Sequence, residues 1–287
     1  MYFFYGFEKR AKKEEESKAL PIGLATGAVT GGAAAGETYR RIRKAENRVQ
    51  SAKYMTKEEI NKMLRPGDVV LTSSGQKIKG NDVNFTWAKN TDVSKPIAGA
   101  SGSPYYHSQY VGYTKGKKGS KVIGAMGAGE KSQYEGRSKH APGRTSYVVL
   151  RPKDKAQAER AARRAPSLAR TSYGNNKQLA EWAARNILGI RGKKDTSNKK
   201  SSKCAPGGKS CHVLTSSAHR EVLPKHSSPM TMINSKDFDV VGRTGTPRKE
   251  LTTWARRGLP TARGLIGAAV GMGLGYGTTK AVEKVVG

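Results

Sequence analysis

Residues 105–113, YYHSQYVGY, read as a strand. Their alternation puts His107, Gln109 and Val111 on one face and Tyr106, Ser108 and Tyr110 on the other. Residues 68–72 (DVVLT), 121–125 (KVIGA) and 146–150 (SYVVL) share this β-branched, aromatic character, with Gly, Ser and Lys loops between them. Residues 238–241 supply a last short strand. Upstream, Thr56-Lys57-Glu58-Glu59 is a capping box that opens a short helix with Ile60, Met63 and Leu64 on one side, ended by Arg65-Pro66-Gly67. Two helices are expected after the fourth strand: residues 155–165, rich in Ala and Arg, and residues 177–188, carrying Leu179, Trp182, Ala183 and Ile187. Strands first and helices around them indicate an α+β domain over about residues 56–245.

Cys211 is the candidate nucleophile. It follows Pro206-Gly207-Gly208-Lys209-Ser210, a turn and an N-cap, and opens a helix predicted to run to about Val222 with Val213, Leu214, Ala218 and Val222 as its apolar side. A thiol at a helix N-terminus meets the positive end of the macrodipole, which favours the thiolate, the reactive form. The commoner fate of a lone cysteine is a buried structural position, so location alone does not decide. His107 adds weight, because a histidine on the inward face of a strand can meet a helix N-terminus across a cleft. His212, His140, His219 and His226 read as surface residues, and no pair of them has metal-ligand spacing. No metal or cofactor is expected. A bridge between Cys204 and Cys211 would close only a short loop, so stability is expected from packing.

The order of DVVLT, a His-containing strand, VIGA, VVLRP, Tyr173-Gly174, CHVLTSSA and DFDVVGR resembles the circularly permuted NlpC-type papain-like cysteine hydrolases. That superfamily includes YiiX-like proteins, poxvirus relatives and the lecithin retinol acyltransferase branch. The resemblance covers about residues 64–243 and implies an antiparallel sheet packed on helices. It implies Cys211 as nucleophile and His107 as general base. YiiX-like members carry an acid in the strand after the histidine, where this chain has Gly124. Another residue must then orient the imidazole: Glu130 is the choice, with Gln133 and Gln109 as alternatives.

The ends differ in kind. Residues 19–36, ALPIGLATGAVTGGAAAG, space glycines four apart at Gly23, Gly27 and Gly31, with Gly32 and Gly36 as a second pair. Residues 264–277, GLIGAAVGMGLGYG, repeat the spacing at Gly267, Gly271 and Gly275. Four-residue spacing lines one helical face, so close helix–helix approach is expected there, through lipid or a protein partner. The division expected is a tail with a glycine-zipper helix and a basic helix (residues 1–55), the hydrolase domain (56–245), then a basic linker and a second glycine-zipper helix (246–287). Neither stretch reaches the roughly 20 strongly apolar residues of an ordinary spanning helix. No cleavable signal peptide is read, because MYFFYGF runs at once into a charged segment.

Lys and Arg number 53 against 22 acids in 287 residues, a formal charge of +31. That excess points to a polyanionic partner, either nucleic acid or an anionic membrane or lipid, beside the bland reading of a solvated surface. The expected function is a membrane-associated hydrolase or acyltransferase acting on an ester or amide bond through a Cys–His pair. The alternatives are a cysteine protease of His-acid-Cys order, and a non-enzymatic basic structural component, of a virion for example, that keeps a papain-like scaffold.

Overall fold

The computed structural model describes residues 2–74, 94–113, 120–124, 133–135, 145–168, 176–189 and 211–286. The helices are α1 (Tyr2–Gln50), α2 (Lys57–Met63), α3 (Ser94–Ser101), α4 (Lys155–Arg163), α5 (Ala165–Leu168), α6 (Asn176–Ile187), α7 (Cys211–Ala218), α8 (Pro229–Asn234) and α9 (Lys249–Val286). The strands are β1 (Val69–Ser74), β2 (His107–Tyr113), β3 (Ser120–Gly124), β4 (Gln133–Glu135), β5 (Thr145–Pro152) and β6 (Phe238–Arg243). The protein is α+β. Its strands form one sheet in the order β4-β3-β2-β1-β5-β6, antiparallel at every ladder.

The chain divides into two compact units, residues 41–258 and residues 1–40 with 259–287. The central unit therefore takes in more than residues 56–245 at both ends. Arg48 shows why the end of α1 belongs to it: its guanidinium donates to the Phe238 carbonyl at 2.6 Å, to that of Ser235 at 2.9 Å and to that of Ile233. Residues 249–258, expected within a basic linker, are the first turns of α9, and Leu251 and Ala255 bury themselves there with Ala98 of α3.

Within the central unit, Val69, Leu71, Val148 and Leu150 are wholly buried and fall on one face of the sheet by register. Burying each such side chain contributes on the order of 1.5–3 kcal/mol. Tyr110 shares that face, and α4, α5 and α7 pack on β2. The other face carries Val70, Val149 and Gly242. There α2 closes the sheet so tightly that a Cβ on Gly242 would lie 2.7 Å from Met55 Sδ and 3.3 Å from Ile60 Cδ1. The capping box of α2 is present: Glu59 N–H donates to Thr56 Oγ1 at 3.1 Å, and Thr56 N–H to Glu59 Oε2 at 2.7 Å. The turn after α2 requires Gly67, which has φ +85° and would put a Cβ 2.5 Å from the Ala158 carbonyl oxygen.

In the other unit, α1 and α9 approach through their glycines. A Cβ on Gly27 would lie 2.8 Å from the Ala268 carbonyl oxygen, one on Gly31 2.7 Å from that of Gly264, and one on Gly271 2.8 Å from that of Thr26. Thr30 Oγ1 donates across the pair to the Gly267 carbonyl at 2.7 Å. Gly273, two residues from Gly271, would meet nothing within 4 Å. These neighbours should respond oppositely to alanine. Gly273→Ala is expected to raise stability by about 1 kcal/mol through helix propensity. Gly271→Ala is expected to lower it, because backbone atoms cannot yield to the methyl group. Thermal melts of the helical circular dichroism signal check the signs, and matching signs would contradict the described contact. Among the described residues no helix is long and apolar enough to cross a membrane.

Candidate functional site

Cys211 is the first residue of α7, a buried thiol outside any disulfide, with 3% of its surface exposed. At the far end of the helix Arg164 donates to the Ala218 carbonyl at 2.7 Å and also meets Glu221. A cation on the terminal carbonyls complements the negative end of the dipole whose positive end lies at Cys211. His107 is the first residue of β2, 6% exposed, and is the register partner of Thr72.

The neighbours of these two residues join their elements. Ser108 Oγ shares one hydrogen bond with His212 Nδ1 at 3.0 Å and another with Thr215 Oγ1 at 3.0 Å. The start of β2 is thereby clasped to the first turns of α7. Trp182 of α6 lies over the His212 ring, with centroids 4.7 Å apart and planes at 30°. Trp182 also packs with Ile97, Ala100 and Val213, and Tyr106 lies against that cluster. Further along, Tyr110 meets His219 edge-on at 6.1 Å, and His219 meets Phe238 at 5.3 Å.

His212 and His219 are therefore not the surface residues expected from the sequence: they are 1% and 0% exposed. Burial pushes both imidazoles down to about 3. The Tyr106 backbone opposes this at His212, while the Arg164 guanidinium adds to it at His219. Both rings are neutral at ordinary pH. His212 is a structural brace beside the thiol, and His219, bonded through Nδ1 to Gln157 at 2.9 Å, is a core residue. One sequence signal pointed this way, since His212 sits among Val213, Leu214 and Ala218 on a short apolar helix and His219 follows it directly.

Ser108 thus crosses from β2 to α7, and Tyr110 of the same strand reaches His219 just beyond the helix. The ladder is irregular at that end: Tyr106 N–H donates to the Thr72 carbonyl at 3.1 Å, although His107 is Thr72's register partner. Gln109, 3% exposed, shares the pleat face of His107. Gly124 ends β3 opposite Gln133. Glu130, Cys204, His140 and Tyr173-Gly174 lie outside the described residues.

The chain matches no family model and no curated protein. The candidate site thus stands on its own residues. Among the described residues, no group of three or more His, Cys, Asp or Glu side chains is placed to hold a metal ion.

Proposed function

We propose that the central unit is a permuted papain-like cysteine hydrolase or acyltransferase that cleaves an ester or amide bond at a membrane or lipid surface. The observation that carries this reading is the clasp of Ser108 with His212 and Thr215, which holds the start of the histidine strand against the first turn of the cysteine helix. The order of histidine strand before cysteine helix is that of the permuted hydrolases. In the proposed reaction Cys211 sulfur attacks the substrate carbonyl carbon, and His107 takes the thiol proton. The tetrahedral oxyanion is met by backbone N–H groups at the start of α7. Collapse breaks the bond to the leaving alcohol or amine, which takes the proton from His107. Water or a second acceptor then releases the acyl group from sulfur. Glu130 is the proposed orienting acid. The net charge of +31 supports an anionic surface as the place of work.

The test is hydrolysis of an activated ester by the full chain, with labelling by an electrophilic probe mapped to Cys211 rather than Cys204. Cys211→Ala is expected to abolish both, and His107→Gln to slow turnover by about 10²–10⁴-fold. Full activity in Cys211→Ala would sink the mechanism.

A second reading has its own support. The near-complete burial of Cys211 favours a papain-like scaffold without catalysis. In that reading the cationic chain binds nucleic acid or anionic lipid as a structural component, and Cys211 of the folded protein resists the probe. Salt-sensitive binding to duplex DNA, set against binding to anionic vesicles, identifies the polyanion.

A further inference from the structure

The central unit contains a cavity of about 190 Å³ that neither Cys211 nor His107 lines. Ile42, Ala45 and Val49 from α1 and Ile233 from α8 form its apolar wall. Arg243 and Arg256 supply its two guanidinium groups, and their situations differ. Arg256 is satisfied by Glu46, with Nε donating to Oε1 at 2.8 Å and a terminal nitrogen to Oε2 at 3.2 Å. Arg243 rests on the Tyr54 ring, 5.7 Å from its centroid, and its buried Nε meets no acceptor among the described residues. Tyr105, also in the lining, does not serve as its counter-ion. Burial pushes that phenol up to about 12, and its hydroxyl bonds to Ser146. A buried guanidinium Nε without an acceptor among the described residues, beside an apolar wall, is a costly arrangement that an incoming anion relieves.

We propose that this cavity binds a small organic anion, with its carboxylate on Arg243 and its apolar body against Ile42, Ala45, Val49 and Ile233. Size sets the class. An apolar cavity of ~150 Å³ holds one benzene molecule, so the body is little larger than a single ring or a short branched chain. Arg243 belongs to an edge strand of the sheet, where its backbone is held by Lys53 and Met55. The cation is thus fixed by main-chain bonds whether or not a ligand is present.

The experiment is calorimetric titration of the full chain with phenylacetate, compared with phenylethanol, which has the body without the charge, and acetate, which has the charge without the body. Saturable phenylacetate binding is expected, with both comparators weaker by about tenfold or more. Arg243→Gln is expected to lose the phenylacetate binding by at least about tenfold. Ala45→Leu, which fills the cavity and keeps the cation, provides the same loss if the arginine variant does not fold. Acetate binding as tightly as phenylacetate would show general anion binding by a cationic chain and overturn the proposal. So would phenylethanol binding as tightly, the absence of saturation, or binding that survives in every variant that folds.

Discussion

Replacing Arg151 by Met is expected to destabilise the central unit by about 3–5 kcal/mol, the cost of leaving a buried carboxylate unpaired. Asp68 is 0% exposed, at the turn between α2 and β1. Arg151 of β5 grips it with two bonds, Nε to Oδ1 at 2.9 Å and a terminal nitrogen to Oδ2 at 2.8 Å. The same terminal nitrogen donates to the Met63 carbonyl at 2.8 Å, and Arg65 N–H donates to Asp68 Oδ2 at 2.9 Å. One guanidinium therefore ties the end of α2, the turn and the fifth strand together. The planar fork makes this a site where Lys is a poor substitute. The double variant Asp68→Leu with Arg151→Met should be less damaged than Arg151→Met alone, because no buried charge then lacks a partner. Urea unfolding followed by tryptophan fluorescence checks both. A loss below about 1 kcal/mol in Arg151→Met would place the carboxylate in contact with water, against its observed burial.

The second large effect is acid sensitivity. His212 and His219 ionise near 6.5 in the unfolded chain and at about 3 when folded. A histidine with a depressed folded value contributes stability that is fully present above its unfolded pKa. That contribution is lost as pH falls toward the folded value, because only the unfolded chain takes up the proton. Going from pH 7.5 to 5, the two rings together should cost on the order of 4 kcal/mol. Glu221 is held below its ordinary 4.5, since the bonds from Arg164 and Arg160 together outweigh the upward push of burial. Its loss sets in only at lower pH, so the histidines dominate the range above pH 5. Urea midpoints measured across that range should fall steadily, and His219→Gln should roughly halve the slope. A flat profile would mean that the buried rings accept protons in place.

These two effects show where local sequence was informative. The strands around Val69, His107, Val122 and Tyr147 were legible because pleated, half-buried segments are written in β-branched and aromatic residues. The capping box at Thr56 was legible because both its bonds lie within four residues. The helix α3, SKPIAGAS, was not, since its Ser, Pro and Gly read as a loop, and burial of Ile97, Ala98 and Ala100 makes it helical. The helix α8 carried a signal that went unread: Ser228 caps it by accepting from Thr231 N–H, and Pro229 stands in its first turn. The helix α7 stops at Ala218, earlier than its apolar spacing implied, and Arg164 closes that end.

By itself the sequence determined the α+β pattern, the glycine faces of α1 and α9, the cationic excess, and the placing of a thiol at a helix start and an imidazole in a strand. Those properties depend on neighbours a few residues apart or on totals along the chain. Tertiary structure alone decided that His212 and His219 are buried and neutral, that Ser108 is clasped to α7, and that Arg243 lines a cavity with its Nε lacking an acceptor among the described residues. Each of those depends on desolvation and on partners distant in sequence, such as Ser108 for His212 across 104 positions. No local pattern encodes which distant group will displace water from a side chain.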